Sequence, residues 1–445
     1  MERALSPARR IVDTPAVFAL HRLLVLASAL ALCGCTGGSG TFETDESATT
    51  SATSPATSGA SETAGSTTAA SESDTGTSTD ASTDTNTGTG TGTGTPGIDY
   101  DAAGPHPVAN DRFVLSSGDR ELLVELWYPA DPSATEAAAA GQSIAEFVPE
   151  GPDREAFDAL LADLSPAGMI GTRTQTSAAF AAPPAAGSWP LLVFSHCHEC
   201  VRFSSYSLAE HLASHGFVVA APDHAGNTLF DPGALLSDEF LMTRVGDLQA
   251  VLDALTGEDD ALPSSIKGKG VIDSSKIGAF GHSYGAATVG RLAQEDARIL
   301  AAMPIAAPVE NPIFPGTQVA AIERPLLFVR AEEDNSILAI GNNLIDLNFM
   351  GAHPPVWLIK VRDAGHWNFS DICGLTEHLA AGCGEGTRQT VAGEAFTYLD
   401  IDVARRLAGA YALAFFDLQL RGNADAAAYL ASPEPAEWVE VSARE

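Results

Sequence analysis

Positive charge is scarce in this chain. Across 445 residues, 24 Lys and Arg stand against 57 Asp and Glu, a net charge of −33. Nucleic acids and anionic membranes are recognised through clustered cations, so this balance argues against both as partners and fits a solvated extracytoplasmic protein. The N-terminal apolar run, residues 23–32 behind Arg9, Arg10 and Arg22, is too short for a comfortable transmembrane helix and reads as a secretory signal. Residues 36–97 have almost nothing apolar. They are mainly Thr, Ser, Gly, Ala and Asp, ending in Gly-Thr repeats, and with so little to bury they cannot offset the entropy of ordering. That stretch reads as a flexible tether.

Cysteine is sparse too, with six in all: Cys33, Cys35, Cys197, Cys200, Cys373 and Cys383. Leu32-Cys33-Gly34-Cys35 resembles a bacterial lipobox, with an aliphatic residue three before the last cysteine and a small one directly before it. The resemblance implies cleavage before Cys35, lipid on its thiol and amine, and attachment to a membrane through that anchor, where two or three chains hold stably. The expected division is then a signal over 1–34, a tether over 35–97 and one large domain over 98–445. Four cysteines remain, and the simplest of their three pairings are the local ones, Cys197–Cys200 and Cys373–Cys383. His196, Cys197, His198 and Cys200 also offer metal-like spacings. No second C-x-x-C or H-x-x-x-H pair completes a tetrahedral set, so disulfide or loop thiols are preferred and no metal is expected. A redox C-x-x-C is likewise disfavoured, because the motif does not open a helix near the start of a βαβ unit.

From residue 113 onward, apolar strands alternate with helical patterns. Residues 113–128 read as two strands joined at Ser116-Ser117-Gly118-Asp119. A helical pattern, Phe157, Leu160, Leu161 and Leu164, lies within an irregular insertion. Continuous apolar runs at 190–195 and 217–221 read as buried parallel strands around a helix over 206–215 that Gly216 closes. A helix over 245–255 precedes the next strand. Further strands are expected at 299–306 and 326–330, with 356–361 the last, and a closing helix over 403–420. This order predicts an α/β fold with a mostly parallel central sheet, helices on both faces, and chemistry at the carboxyl ends of the strands.

The densest signal is Lys276-Ile277-Gly278-Ala279-Phe280-Gly281-His282-Ser283-Tyr284-Gly285-Ala286-Ala287. A strand runs into G-x-S-x-G and straight on into a helix, the arrangement that exposes a serine hydroxyl on a tight turn. The glycines are expected where a side chain would strike the neighbouring strand and helix. Ser283 needs a base and an orienting acid. His366, behind Gly365 just past the last expected strand, suits the base better than His282, His353 or His378. The acid should follow strand 326–330, where Glu332, Glu333 and Asp334 compete. Asp334 lies far enough beyond the strand to turn back towards His366, with the two glutamates as alternatives. The oxyanion hole should pair the N–H of Tyr284 with one from the loop after Phe194.

Trp127-Tyr128-Pro129, Phe194-Ser195-His196, Ala221-Pro222-Asp223-His224, Gly281-His282-Ser283-Tyr284-Gly285 and Gly365-His366 together resemble the α/β-hydrolases related to platelet-activating factor acetylhydrolase and dienelactone hydrolase. The resemblance covers residues 113–420. It implies hydrolysis of carboxylic esters with no metal or organic cofactor, and a second oxyanion donor at His198 or, less favoured, Cys197. Two departures stand out. The acetylhydrolases proper take their acid from the strand after the nucleophile helix, but here that strand ends Met303-Pro304-Ile305-Ala306 without a carboxylate. Cys197 also replaces the usual glycine after the loop histidine. Residues 141–184 and 230–244 are expected to wall or cover the pocket, suiting an apolar acyl or aromatic group. A polyester or lactone substrate is a further enzymatic reading, although dienelactone hydrolases proper use cysteine. A surface lipoprotein that keeps the fold only for binding is the reading from another class.

Overall fold

Leu191-Leu192-Val193-Phe194 turns alternate side chains to opposite faces of a strand, and every one of them is buried. Leu192 and Phe194 join Trp127, Val219 and Phe280 on one face; Leu191 and Val193 join Val218, Ala220 and Ala279 on the other. A strand apolar on both faces needs helices on both. The computed structural model describes residues 98–231, 233, 235–257, 259–336, 340–433 and 435–445. The expected signal, Cys35 and the tether lie outside the described residues.

The strands are β1 (Val108–Ser117), β2 (Arg120–Pro129), β3 (Ala178–Phe180), β4 (Trp189–Ser195), β5 (Val218–Pro222), β6 (Ile272–His282), β7 (Ile299–Ile305), β8 (Leu326–Ala331), β9 (Val356–Val361), β10 (Glu385–Thr387), β11 (Ala395–Thr397) and β12 (Val439–Arg444). The helices are α1 (Thr135–Ala140), α2 (Pro152–Ala162), α3 (Pro166–Gly171), α4 (Tyr206–Ser214), α5 (Asp238–Gly257), α6 (Tyr284–Glu295), α7 (Gly341–Gly351), α8 (Ile401–Phe416) and α9 (Asp425–Leu430). Ten strands form one sheet in the order β12-β9-β8-β7-β6-β4-β5-β2-β1-β3. Its centre, β5 through β9, is parallel, while β1–β2, β2–β5 and β9–β12 pair antiparallel. Helices α4 and α8 cover one face; α5, α6 and α7 cover the other.

The mostly parallel sheet agrees with the sequence, and three elements differ. Strand β9 is not the last, because β12 adds an antiparallel edge beyond it. Its half-polar pattern, Val439 to Arg444, is that of an edge strand with one wet side. Helix α5 starts at Asp238, well before Val245, so part of segment 230–244 is regular helix. The insertion 141–184 is tied down in the last third of its course. Strand β3 pairs with β1 at the sheet edge, and Thr172 bridges Ile372. Among the described residues no helix is long and apolar enough to cross a membrane.

Candidate active site

Ser283 stands between β6 and α6 at φ 58° and ψ −118°, a backbone conformation that side-chain-bearing residues rarely adopt. Packing holds it there. A Cβ on Gly281 would run into the Gly285 carbonyl, and one on Gly285 into the Ser195 carbonyl of neighbouring β4. The two glycines thus let strand, turn and helix close up, as the motif predicts. The Ser283 N–H donates to the Ile305 carbonyl at 2.9 Å, fixing the turn to β7. The residue remains 7% exposed, at the carboxyl edge of the sheet.

His366 follows β9 in a short 3₁₀ turn that is pinned from three sides. The Gly365 N–H donates to Asn368 Oδ1 at 2.7 Å, Asn368 Nδ2 donates to the Leu399 carbonyl at 2.9 Å, and the Trp367 N–H donates to the Ala381 carbonyl at 2.9 Å. The last bond joins the turn to the loop closed by the Cys373–Cys383 disulfide. His366 Nδ1 lies 2.7 Å from Asp334 Oδ2, and Nε2 lies 2.9 Å from Ser283 Oγ. With a carboxylate on Nδ1, that nitrogen carries the proton, leaving Nε2 free to accept from the serine. Burial pushes the Asp334 carboxyl upward, but the charge and hydrogen bond of His366, with the Ser336 N–H at 2.8 Å, outweigh it and hold Asp334 below its ordinary value. Glu333 turns away to Arg388 and Thr390, and Glu332 accepts from the Asp363 N–H at 3.2 Å. The geometry therefore brings together Ser283, His366 and Asp334, and neither glutamate joins them.

His282, set aside as a base, has its own place. Its Nε2–H donates to the His366 carbonyl at 2.8 Å, and burial, followed by the His366 charge, pushes its pKa down to about 3. A neutral ring thus links the residue before the nucleophile to the backbone of His366.

The loop after β4 carries the second nominated donor. Cys197 and Cys200 form a disulfide, so both sulfurs of that motif are committed to each other. Together the two bridges belong to an oxidising, extracytoplasmic compartment. Tyr284 opens α6, so its N–H has no acceptor within the helix. The His198 and Tyr284 rings meet edge-on at 5.9 Å, bringing the two nominated donor residues side by side.

Beneath them lies a group the sequence reading missed. Ser195 Oγ is 2.9 Å from His224 Nε2, and His224 Nδ1 is 2.9 Å from Asp247 Oδ2, a second Ser–His–Asp chain. All three residues are sealed from solvent, so no substrate reaches this serine. Arg244, also fully buried, donates to Ser195 Oγ at 3.0 Å, to Asn227 Oδ1 at 2.7 Å and to the His196 carbonyl. Asn227 Nδ2 in turn donates to His198 Nδ1 at 2.7 Å. Burial, then the Arg244 charge, pushes His196 and His224 well below the usual histidine range, so both rings stay neutral. One signal was legible beforehand. Leu241, Arg244, Val245 and Leu248 share one face of a helix, which sets a charge on an apolar stripe.

Comparison with known proteins gives concordant matches. The family model described as Chlorophyllase matches residues 170–311, and that of platelet-activating factor acetylhydrolase, isoform II, matches residues 99–230. Platelet-activating factor acetylhydrolase from Cavia porcellus is 27% identical over 270 residues, covering 52% of this chain and 58% of that protein. The Bos taurus acetylhydrolase is 26% identical over 273 residues, covering 52% and 57%. The chain thus spans a little over half the length of these relatives. Among solved structures, a ferulic acid esterase from Streptomyces cinnamoneus superposes with a TM-score of 0.52 at 24% identity, covering 72% of this chain and 92% of its own. That likeness is one of fold.

Proposed function

We propose that this chain, whose fold is that of the α/β-hydrolases, is a serine carboxylic-ester hydrolase working through an acyl-enzyme. The observation that carries the reading is the chain Ser283 Oγ to His366 Nε2 at 2.9 Å and His366 Nδ1 to Asp334 Oδ2 at 2.7 Å. Ser283 Oγ attacks the ester carbonyl carbon as its proton passes to His366 Nε2. The carbonyl oxygen takes up negative charge and accepts hydrogen bonds from the N–H groups of Tyr284 and His198. When the tetrahedral centre collapses, the C–O bond to the alcohol breaks and His366 returns the proton to that oxygen. Water then repeats the sequence on the acyl-serine, with His366 as base, and frees the acid. Asp334 stays ionised throughout and steadies the imidazolium.

The names acetylhydrolase and esterase among the similar proteins support ester cleavage. An apolar acyl group is favoured by the half-buried Leu236, Phe240 and Ile313, which pack on the buried cluster of Leu241, Tyr284, Ala287 and Phe314 next to Ser283. The test is turnover of p-nitrophenyl acetate, butyrate and longer esters. Activity that Ser283→Ala lowers by about 10⁶-fold supports the reading. A folded wild type that turns over none of them contradicts it. Attachment of the extracytoplasmic chain through lipid on Cys35 is the second part of the proposal.

A further inference from the structure

Arg244 is unusual among the buried cations. Arg202, equally buried, is held by Glu125 at 3.0 Å and Asp223 at 2.8 Å. Arg244 bonds only neutral groups: the Ser195 hydroxyl, the Asn227 amide oxygen and the His196 carbonyl. Asp247, its nearest acid along α5, is taken up by Arg120 and His224. A buried charge without a carboxylate on it is costly, so a role as filler is a poor account of it. Burial pushes the guanidinium down to about 9, which leaves it charged at neutral pH.

Its surroundings indicate what it does. The guanidinium lies over the Tyr284 ring, 4.4 Å from the centroid. Its Nη2 bonds the backbone of the loop, and its Nη1 reaches His198 through Asn227. The segments carrying the two nominated oxyanion donors therefore meet on one planar cation, and a planar fork fixes relative position in a way an ammonium cannot. Ser195, His224 and Asp247 buttress it from behind. We propose that Arg244 is the positioning residue of the oxyanion hole, clamping the loop of His198 to the helix start of Tyr284. The buried Ser195–His224–Asp247 chain is the frame that holds this clamp, not a second catalytic centre. The inference rests on the serine-hydrolase reading above.

The test uses the mature protein with Arg244→Met, Arg244→Lys and Asn227→Ala, assayed on p-nitrophenyl butyrate and for inhibition by a trifluoromethyl ketone. The ketone forms a hemiketal on Ser283 whose oxyanion occupies the hole, so its Ki reports that geometry. Arg244→Met is expected to lower kcat by about 100-fold, with KM little changed and Ki raised by the same factor. Arg244→Lys should recover part of the loss. Asn227→Ala should lose about 10-fold, with Ki again following kcat/KM. A Ki that stays put while kcat/KM falls, or wild-type kinetics in Asn227→Ala, overturns the inference. If Arg244→Met does not fold, Asn227→Ala decides alone. Wild-type turnover that Ser283→Ala abolishes keeps the serine reading standing whatever Arg244 does; its absence overturns both.

Discussion

Glu333 and Asp334 are adjacent on one turn, yet they face different charges. Glu333 is held below its usual value by the Arg388 hydrogen bond and by Thr390. Asp334 is buried, and His366 keeps it ionised against that burial. Asp334→Asn should therefore cost about 10³- to 10⁴-fold in kcat, because an amide favours the wrong imidazole tautomer. Glu333→Gln should leave kcat little changed and lower thermal stability slightly. Paired kcat and Tm measurements check both. Since Asp334 is depressed, its stabilising contribution is present above its unfolded value and fades only as pH falls below that ordinary range. Acid loss of activity near neutral pH is thus not Asp334 titrating. At this scale the sequence was readable because G-x-S-x-G and Gly365-His366 are local patterns. The choice among Glu332, Glu333 and Asp334 needed the fold, since all three follow the same strand.

Helix α4 supplies a case at the scale of elements. Its Glu210 is buried and accepts the Ser177 N–H with both oxygens, at 3.0 and 3.1 Å, just before edge strand β3. Burial pushes this carboxyl from 4.5 up to about 8, with the charge of Asp371 adding to it. The folded state favours the protonated form, so stability is full below pH 4.5 and is lost as pH rises towards about 8. Glu210→Gln should flatten that decline and leave the variant more stable than wild type at pH 8, by on the order of a few kcal/mol. Thermal unfolding from pH 5 to 9 measures it; parallel curves for the two proteins would refute it. The elements that sequence reading misjudged share a cause. Strand β12 and the first turns of α5 are half-polar, and neighbours decide their state where periodicity does not. Strand β4 and the second half of β6, from Ile277, were legible because burial on both faces leaves a continuous apolar run.

For the whole molecule, the parallel centre of the sheet delivers Ser283, Asp334 and His366 to one edge from the ends of β6, β8 and β9. The alternation of strands and helices foretold that arrangement, because right-handed crossovers allow few others. The buried frame around Arg244 was not foretold. It joins β4, the loop after β5, and α5, so a local pattern carries only its arginine, as a charge on the apolar stripe of α5, and not the partners around it. At this scale too belongs the anchor. Cys35→Ser should move the protein from the membrane fraction to the soluble fraction of cells that express the full chain, read by fractionation and palmitate labelling. Unchanged partitioning would remove the lipid from the account. The central claim, nucleophilic Ser283, is tested most directly by exposing the folded protein to a fluorophosphonate and mapping the adduct by mass spectrometry. The account predicts one adduct, on Ser283, and none on the equally hydrogen-bonded but sealed Ser195. A folded protein that takes up no probe, or takes it elsewhere, contradicts it.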